Sequence, residues 1–125
     1  MMKIILDTNF LMAIAQFKID ILSEIERIAD FKYNVFILDK TIDELNSIIK
    51  TKKGKDKRAA KLALDIINAK DIKQIKTDEG NTDDLIVKLA DKETIIATQD
   101  RNLRKRVKTG IIGIRQKRYL YIRKL

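Results

Sequence analysis

Asp7, Glu44, Asp83 and Asp100 are the residues of this chain best placed to do chemistry, and the composition narrows which chemistry that is. The sequence contains no histidine and no cysteine. Imidazole acid–base catalysis, Ser–His and Cys–His nucleophile pairs, disulfides and His- or Cys-ligated zinc are therefore excluded. Work at neutral pH falls to carboxylates, lysines, hydroxyls or a bound hard cation. Asp7 draws attention first. KIIL at 3–6 reads as a buried strand, yet it ends on a charge before the apolar pattern resumes at Phe10.

The 125 residues fit one domain, 1–125. With 45% apolar and 36% charged side chains, the composition is globular. No apolar run reaches the roughly 18 residues of a membrane span, and Asp7 interrupts any secretory leader, so a cytoplasmic location is expected. The net charge of +9 is unevenly spread. Residues 1–50 hold 6 basic and 8 acidic side chains, whereas 51–125 hold 21 basic and 10 acidic. A basic excess of that size points to a polyanionic partner, most simply nucleic acid; solubility alone is the plainer account.

Periodicity supplies the elements that would position the acids. Short apolar runs at 3–6, 34–38, 94–98 and 111–115 read as strands, as does the alternating segment 71–76, with 118–122 a further strand or tail. Helices are expected over 9–16, 19–30, 41–50, 58–69, 83–91 and 100–108. On the fourth of these Leu62 and Ile66 should face inward, with Ala59 and Ala63 as further inward candidates, while KTKKGKDKR at 50–58 reads as a solvated loop or frayed helix end. The alternation predicts an α/β three-layer sandwich, a central mostly parallel sheet of about five strands with helices on both faces.

In such a sheet the carboxyl ends of strands and the amino ends of the following helices share one edge, where ligand sites form. Asp7 and Asp100 each follow a strand, Glu44 lies one turn into the helix after the second strand, and Asp83 and Asp84 open the next helix. Each has an innocent reading as a helix cap or dipole partner; Thr41 and Glu44 match a capping box. Together, however, unpaired carboxylates meeting in a partly dry cleft repel, and a divalent cation relieves that. Oxygen-only donors point to Mg²⁺ or Mn²⁺. A carboxylate-held ion of this kind is a known solution to phosphodiester hydrolysis without histidine.

These residues give the chain its likeness. LDTN at 6–9, DEL at 43–45, TDDLI at 82–86 and ATQDRNL at 97–103 resemble, in order and over nearly the whole chain, the acid-bearing blocks of the PIN domain. The resemblance implies a Mg²⁺/Mn²⁺-dependent ribonuclease, of the VapC toxin type or of the small-subunit pre-rRNA-processing type, leaving 5′-phosphate and 3′-hydroxyl ends. Carried over by position, Asp7, Glu44, Asp83 and Asp100 match the metal-binding and catalytic acids, with Asp84, Thr98 and Asn9 auxiliary. The DD pair and the charged helix from Asp100 look closer to the processing branch.

Lys52, Lys53, Lys55 and Lys57, with Arg101, Arg104, Lys105 and Arg106, are candidate RNA-backbone contacts; singly, each is also an ordinary solvated side chain. Tyr119 and Tyr121 suit packing or a homodimer contact, or stacking on bases. An antitoxin protein is a further partner under the toxin reading. The rival from another class is a PIN module that binds RNA without cutting it. A haloacid-dehalogenase-type phosphatase needs a second acid where Asn9 stands, and a phosphoacceptor receiver domain fits the basic charge poorly.

Overall fold

The computed structural model describes residues 1–124. Its elements are β1 (Met2–Leu6), α1 (Thr8–Phe17), α2 (Ile21–Ile28), β2 (Tyr33–Leu38), α3 (Asp39–Thr51), α4 (Gly54–Ala69), β3 (Lys73–Ile75), α5 (Thr82–Leu89), β4 (Thr94–Ala97), α6 (Arg101–Arg106), β5 (Gly110–Arg115) and β6 (Tyr119–Arg123). The six strands form one sheet in the order β3-β2-β1-β4-β5-β6. β1 to β5 run parallel and β6 returns antiparallel along β5. The expected three-layer α/β sandwich is therefore present, with β6 as a sixth strand.

The pleat sorts the core into two faces, because successive side chains of a strand point to opposite sides. Ile4, Leu6, Ile37, Ile95, Ala97, Ile112 and Ile114 pack with α1, α2, α3 and α4. Ile5, Leu38, Ile96 and Ile111 pack with Leu85 and Ile86 of α5 and Leu103 of α6. The chain changes face between β1 and β4, which lie side by side in the sheet. That reversal opens a crevice beyond their carboxyl ends, the place where parallel sheets bind ligands. Among the described residues, no helix is long and apolar enough to cross a membrane.

Two local expectations need correction. The basic run at 50–58 is mostly helical: α3 extends to Thr51, and only Lys52 and Lys53 precede α4. Apolar periodicity has nothing to report in such a run. Lysine, arginine and alanine nevertheless favour helix, and Gly54, at φ 62°, supplies the left-handed turn that reverses the chain. The inward face of α4 is also rotated from the expected one. Ala59, Ala60, Ala63 and Ile67 are buried, whereas Leu62 is 45% exposed. Ala59 and Ala63 are inward as expected and Leu62 is not: small residues let α4 approach α1 and α3 closely.

The free edge of the sheet at β6 is partly occupied by α2. Leu120 donates its N–H to Glu24 Oε1 at 2.9 Å, and Arg27 Nη2 donates to the Leu120 carbonyl at 2.7 Å. Glu24 and Arg27 are themselves ion-paired at 3.0 Å, so this side-chain pair stands where a neighbouring strand's backbone would.

The α4 packing yields a direct test. Leu62→Ala should alter unfolding free energy by less than about 0.5 kcal/mol. Ala63→Leu, at a fully buried position, should cost about 1–3 kcal/mol through overpacking. Urea unfolding of the two variants checks the order, and equal losses would restore Leu62 to the core.

Candidate functional site

β1 and β4 end level with each other, Leu6 opposite Ala97. Asp7 and Thr98 are thus delivered side by side into the crevice between the two sheet halves. Asp7 sits at the N-cap position of α1, yet its side chain caps nothing. Instead its Oδ2 accepts a hydrogen bond from the Thr98 hydroxyl at 3.0 Å, and Thr98 Oγ1 in turn accepts the Asp100 N–H at 3.1 Å. Asp7 is 6% exposed and Thr98 fully buried.

Glu44 reaches this crevice from α3. It does not close the expected capping box, because α3 begins at Asp39 and Thr41 is already inside it. Its Oε1 accepts the hydroxyls of Thr8 and Thr82, both at 2.7 Å, and Thr8 shares a further hydrogen bond with Thr41 at 3.0 Å. Asp83 and Asp84 lie in the first turn of α5, whose N-cap is Asn81, accepting the Asp84 N–H at 2.9 Å. Asp84 turns outward to Arg106 at 2.5 Å. Asp100 caps α6, its Oδ1 accepting the amides of Asn102 and Leu103 at 2.8 and 3.2 Å.

Three of the four principal acids, Asp7, Glu44 and Asp83, line one cavity of about 420 Å³ together with Asn9, Asp84 and Arg106. Asp100 is outside its wall but close enough to act on Asp83. Asp7 is pushed up to about 6, chiefly by burial, with Asp83 and Glu44 adding to the shift and Thr98 opposing it. Asp83 is raised by burial and then by Asp100, while Arg106 pulls it down. The site therefore holds more negative charge than its own cations neutralise. Its donors are all oxygens, which fits a hard divalent cation such as Mg²⁺ or Mn²⁺. Among the described residues, no three acids stand as a ready-made ligating set. The hydroxyls on Glu44 and the cap on Asp100 hold those two carboxylates to the protein.

The basic candidates separate into two places. Lys52, Lys53 and Lys55 are exposed where α3 passes into α4. Lys52 is eight residues beyond Glu44, about 12 Å along the helix. Arg101 and Lys105 are exposed on α6, but Arg104 faces inward. Its Nε and Nη2 donate to the Thr98 carbonyl at 3.1 and 2.9 Å, and Nη2 also donates to Gln99 Oε1 at 3.2 Å. Arg104 thus braces the turn that carries Thr98 and Asp100, instead of standing free for a phosphate. The sequence reading placed Thr41 only in a capping box and gave Thr8 and Thr82 no role on Glu44. A threonine beside each acid block was the available signal.

A family model described as a PIN like domain matches residues 4–117, and the chain belongs to that family. Ribonuclease VapC4 of Methanocaldococcus jannaschii is 34% identical over 129 aligned positions, which span 98% of this chain and 97% of that protein. The structure of the PIN domain endonuclease Utp24 is similar at a TM-score of 0.79 and 23% identity, over 98% of this chain and 92% of that one.

The raised Asp7 carboxyl has a signed consequence for stability. Unfolded, the group loses its proton near pH 3.8; folded, near 6. The folded chain therefore holds the extra proton between those values, and stability falls as pH rises through that window. The full penalty above it is about 2–3 kcal/mol. In EDTA at pH 7, Asp7→Asn should be more stable than the parent by about 2 kcal/mol, and its stability should decline less between pH 4 and 6. Urea unfolding across that range checks this. A variant less stable than the parent at pH 7 would contradict the assigned charge penalty.

Proposed function

We propose that this chain is a metal-dependent endoribonuclease whose reaction centre is the crevice holding Asp7, Glu44 and Asp83, with Asp100 at its border. The carrying observation is Asp7. It is a carboxylate buried at the switch point of the sheet, facing two further acids and bound to a hydroxyl, with no lysine or arginine as its own partner. Full-length likeness to a ribonuclease supports RNA as the substrate, as does the basic charge of the C-terminal half.

In this reading Asp7, Asp83 and Asp100 would hold the principal ion, and Glu44 would help fix a second ion or orient the attacking water. A divalent cation held there would supply a water of lowered pKa and would neutralise charge at the reacting phosphate. Thr98 fixes the Asp7 carboxylate. Thr8 and Thr82 fix Glu44 from two different elements, which restrains its rotamer without neutralising it. Burial of Asp7 excludes bulk water from one side of the cavity. Arg106, already in the cavity wall, offers the nearest guanidinium to an entering phosphate. Asn9 and Asp84 are auxiliary contacts at the mouth.

The full-length likeness to Ribonuclease VapC4 favours the VapC-type role over pre-rRNA processing, and an antitoxin protein would then be the partner. The rival reading is RNA retention without cutting; the filled acid positions Asp7, Glu44, Asp83 and Asp100 argue against it. One assay separates them. Purified protein is incubated with an unstructured fluorescent RNA in Mg²⁺, in Mn²⁺ and in EDTA. Cleavage is expected with either metal and none in EDTA, and Asp7→Asn and Asp83→Asn should each cut about a hundredfold more slowly or worse. Parent-rate cleavage by either variant, or cleavage in EDTA, would overturn the metal assignment.

A further inference from the structure

The β5–β6 hairpin has no part in the acid cavity, yet the topology brings its tip to the same edge of the sheet. β5 runs parallel to β4 and β1, and Ile112 lies level with Ala97, which lies level with Leu6. Arg115, three residues further on, projects about 10 Å past that level and about 10 Å sideways from β1. The tip and strand from Arg115 to Lys124 carry five basic residues and no acid: Arg115, Lys117, Arg118, Arg123 and Lys124.

Aromatic rings are interleaved with these cations. Arg115 stands 4.6 Å over the Tyr121 ring and Arg118 5.3 Å over Tyr119, while Lys117 lies 5.6 Å from the Phe17 ring. Tyr119 is 42% exposed. A groove of about 570 Å³ runs beside it, lined by Tyr119, Tyr121, Leu120, Arg27 and Arg115, with Glu24 the acid in its wall. Gln116 and Lys117 both hold positive φ, 55° and 56°, a tight turn made without glycine that keeps a lysine at the tip.

The hairpin is also tied to the acid site. Gln99 pairs with the Ile114 backbone like an added strand residue, its Oε1 accepting the N–H at 2.9 Å and its Nε2 donating to the carbonyl at 3.3 Å. Gln99 lies between Thr98 and Asp100, so the hairpin's position and that of the acids are set by one turn.

We propose that this hairpin is a binding surface for single-stranded RNA beside the cut site, with Arg115, Lys117 and Arg118 on phosphates and Tyr119 stacked on an unpaired base. The inference rests on RNA being the ligand of the acid cavity. Charge complementarity selects the occupant. The segment from Arg115 to Lys124 carries cations and rings and no acid. Of the acids bordering it, Glu24 is held by Arg27 and the Leu120 N–H, Asp20 by Ser23, and Asp30 by Lys124. That leaves Arg115, Lys117 and Arg118 for a polyanion carrying flat bases, and single strands expose both features at once.

The test measures binding in EDTA, so that it does not depend on turnover. Anisotropy of a fluorescein-labelled unstructured oligoribonucleotide is recorded against salt for the parent, for the triple variant Arg115→Ala/Lys117→Ala/Arg118→Ala, and for Tyr119→Ala. The triple variant should flatten the slope of log K against log salt by about 2, near 0.7 for each lost phosphate contact. Tyr119→Ala should bind about tenfold more weakly at fixed salt. Lys117→Glu, at an exposed turn position, gives a single-site check, expected to weaken binding in the same direction, and thermal melts confirm that each variant is folded. Unchanged affinity and slope in the folded triple variant would overturn the proposal. Retained RNA affinity with loss of self-association would do so too, assigning the surface to a second copy of the chain. Cleavage in Mn²⁺ is read in parallel. A parent that cuts while the triple variant binds normally removes only the hairpin; a parent that binds through the hairpin and never cuts removes only the nuclease reading.

Discussion

A carboxylate buried where the sheet changes direction is the constraint from which the site follows. β1 carries buried apolar side chains from Ile4 to Leu6 as it runs through the middle of the sheet, and Asp7 is the first residue past them. It enters a crevice already walled by β4 and by the amino ends of α1 and α5, so little water reaches it. Burial, more than its acidic neighbours, lifts its pKa. The fold bears that cost in a fixed place, because the pairing of Leu6 with Ala97 sets Asp7 at the crevice, and a one-residue slip would exchange the side chains of the two core faces.

What stabilises the charge matters as much as the charge itself. A lysine or arginine next to Asp7 would neutralise it and leave nothing for an ion to do. Threonine hydroxyls orient the carboxylates without neutralising them: Thr98 on Asp7, Thr8 and Thr82 on Glu44. The basic residues stand outside this ring, at the α3–α4 turn, on α6 and on the β5–β6 hairpin. Negative centre and positive surround are therefore built from separate elements, and only Arg106 enters the cavity wall.

Much of this was legible in the sequence. Apolar runs capped by Asp7 and Asp100 fixed both the strands and the edge on which the acids would meet, because in a parallel sheet those are one fact. The order of acid blocks carried the family. Less legible was everything determined by side chains that have two possible partners. Glu44 matches a capping box three residues after Thr41, and only the start of α3 at Asp39 frees it for Thr8 and Thr82. Arg104 reads as one cation among several until its guanidinium is found on the Thr98 carbonyl. On α4 the inward alanines Ala59 and Ala63 were legible, but the exposure of Leu62 reflects how closely three helices approach, a distance that no periodicity encodes.

The side-chain pair on the outer strand bears on how the molecule behaves in company. With Glu24 and Arg27 seated on Leu120, an incoming chain cannot zip along β6 without first breaking an ion pair and two hydrogen bonds. The opposite margin is the three-residue β3, which offers little length to pair with. A polypeptide so rich in isoleucine would otherwise be prone to fibre growth by strand addition. Here both edges are blunted, one by a side-chain plug at Leu120 and one by brevity, which disfavours growth by strand addition.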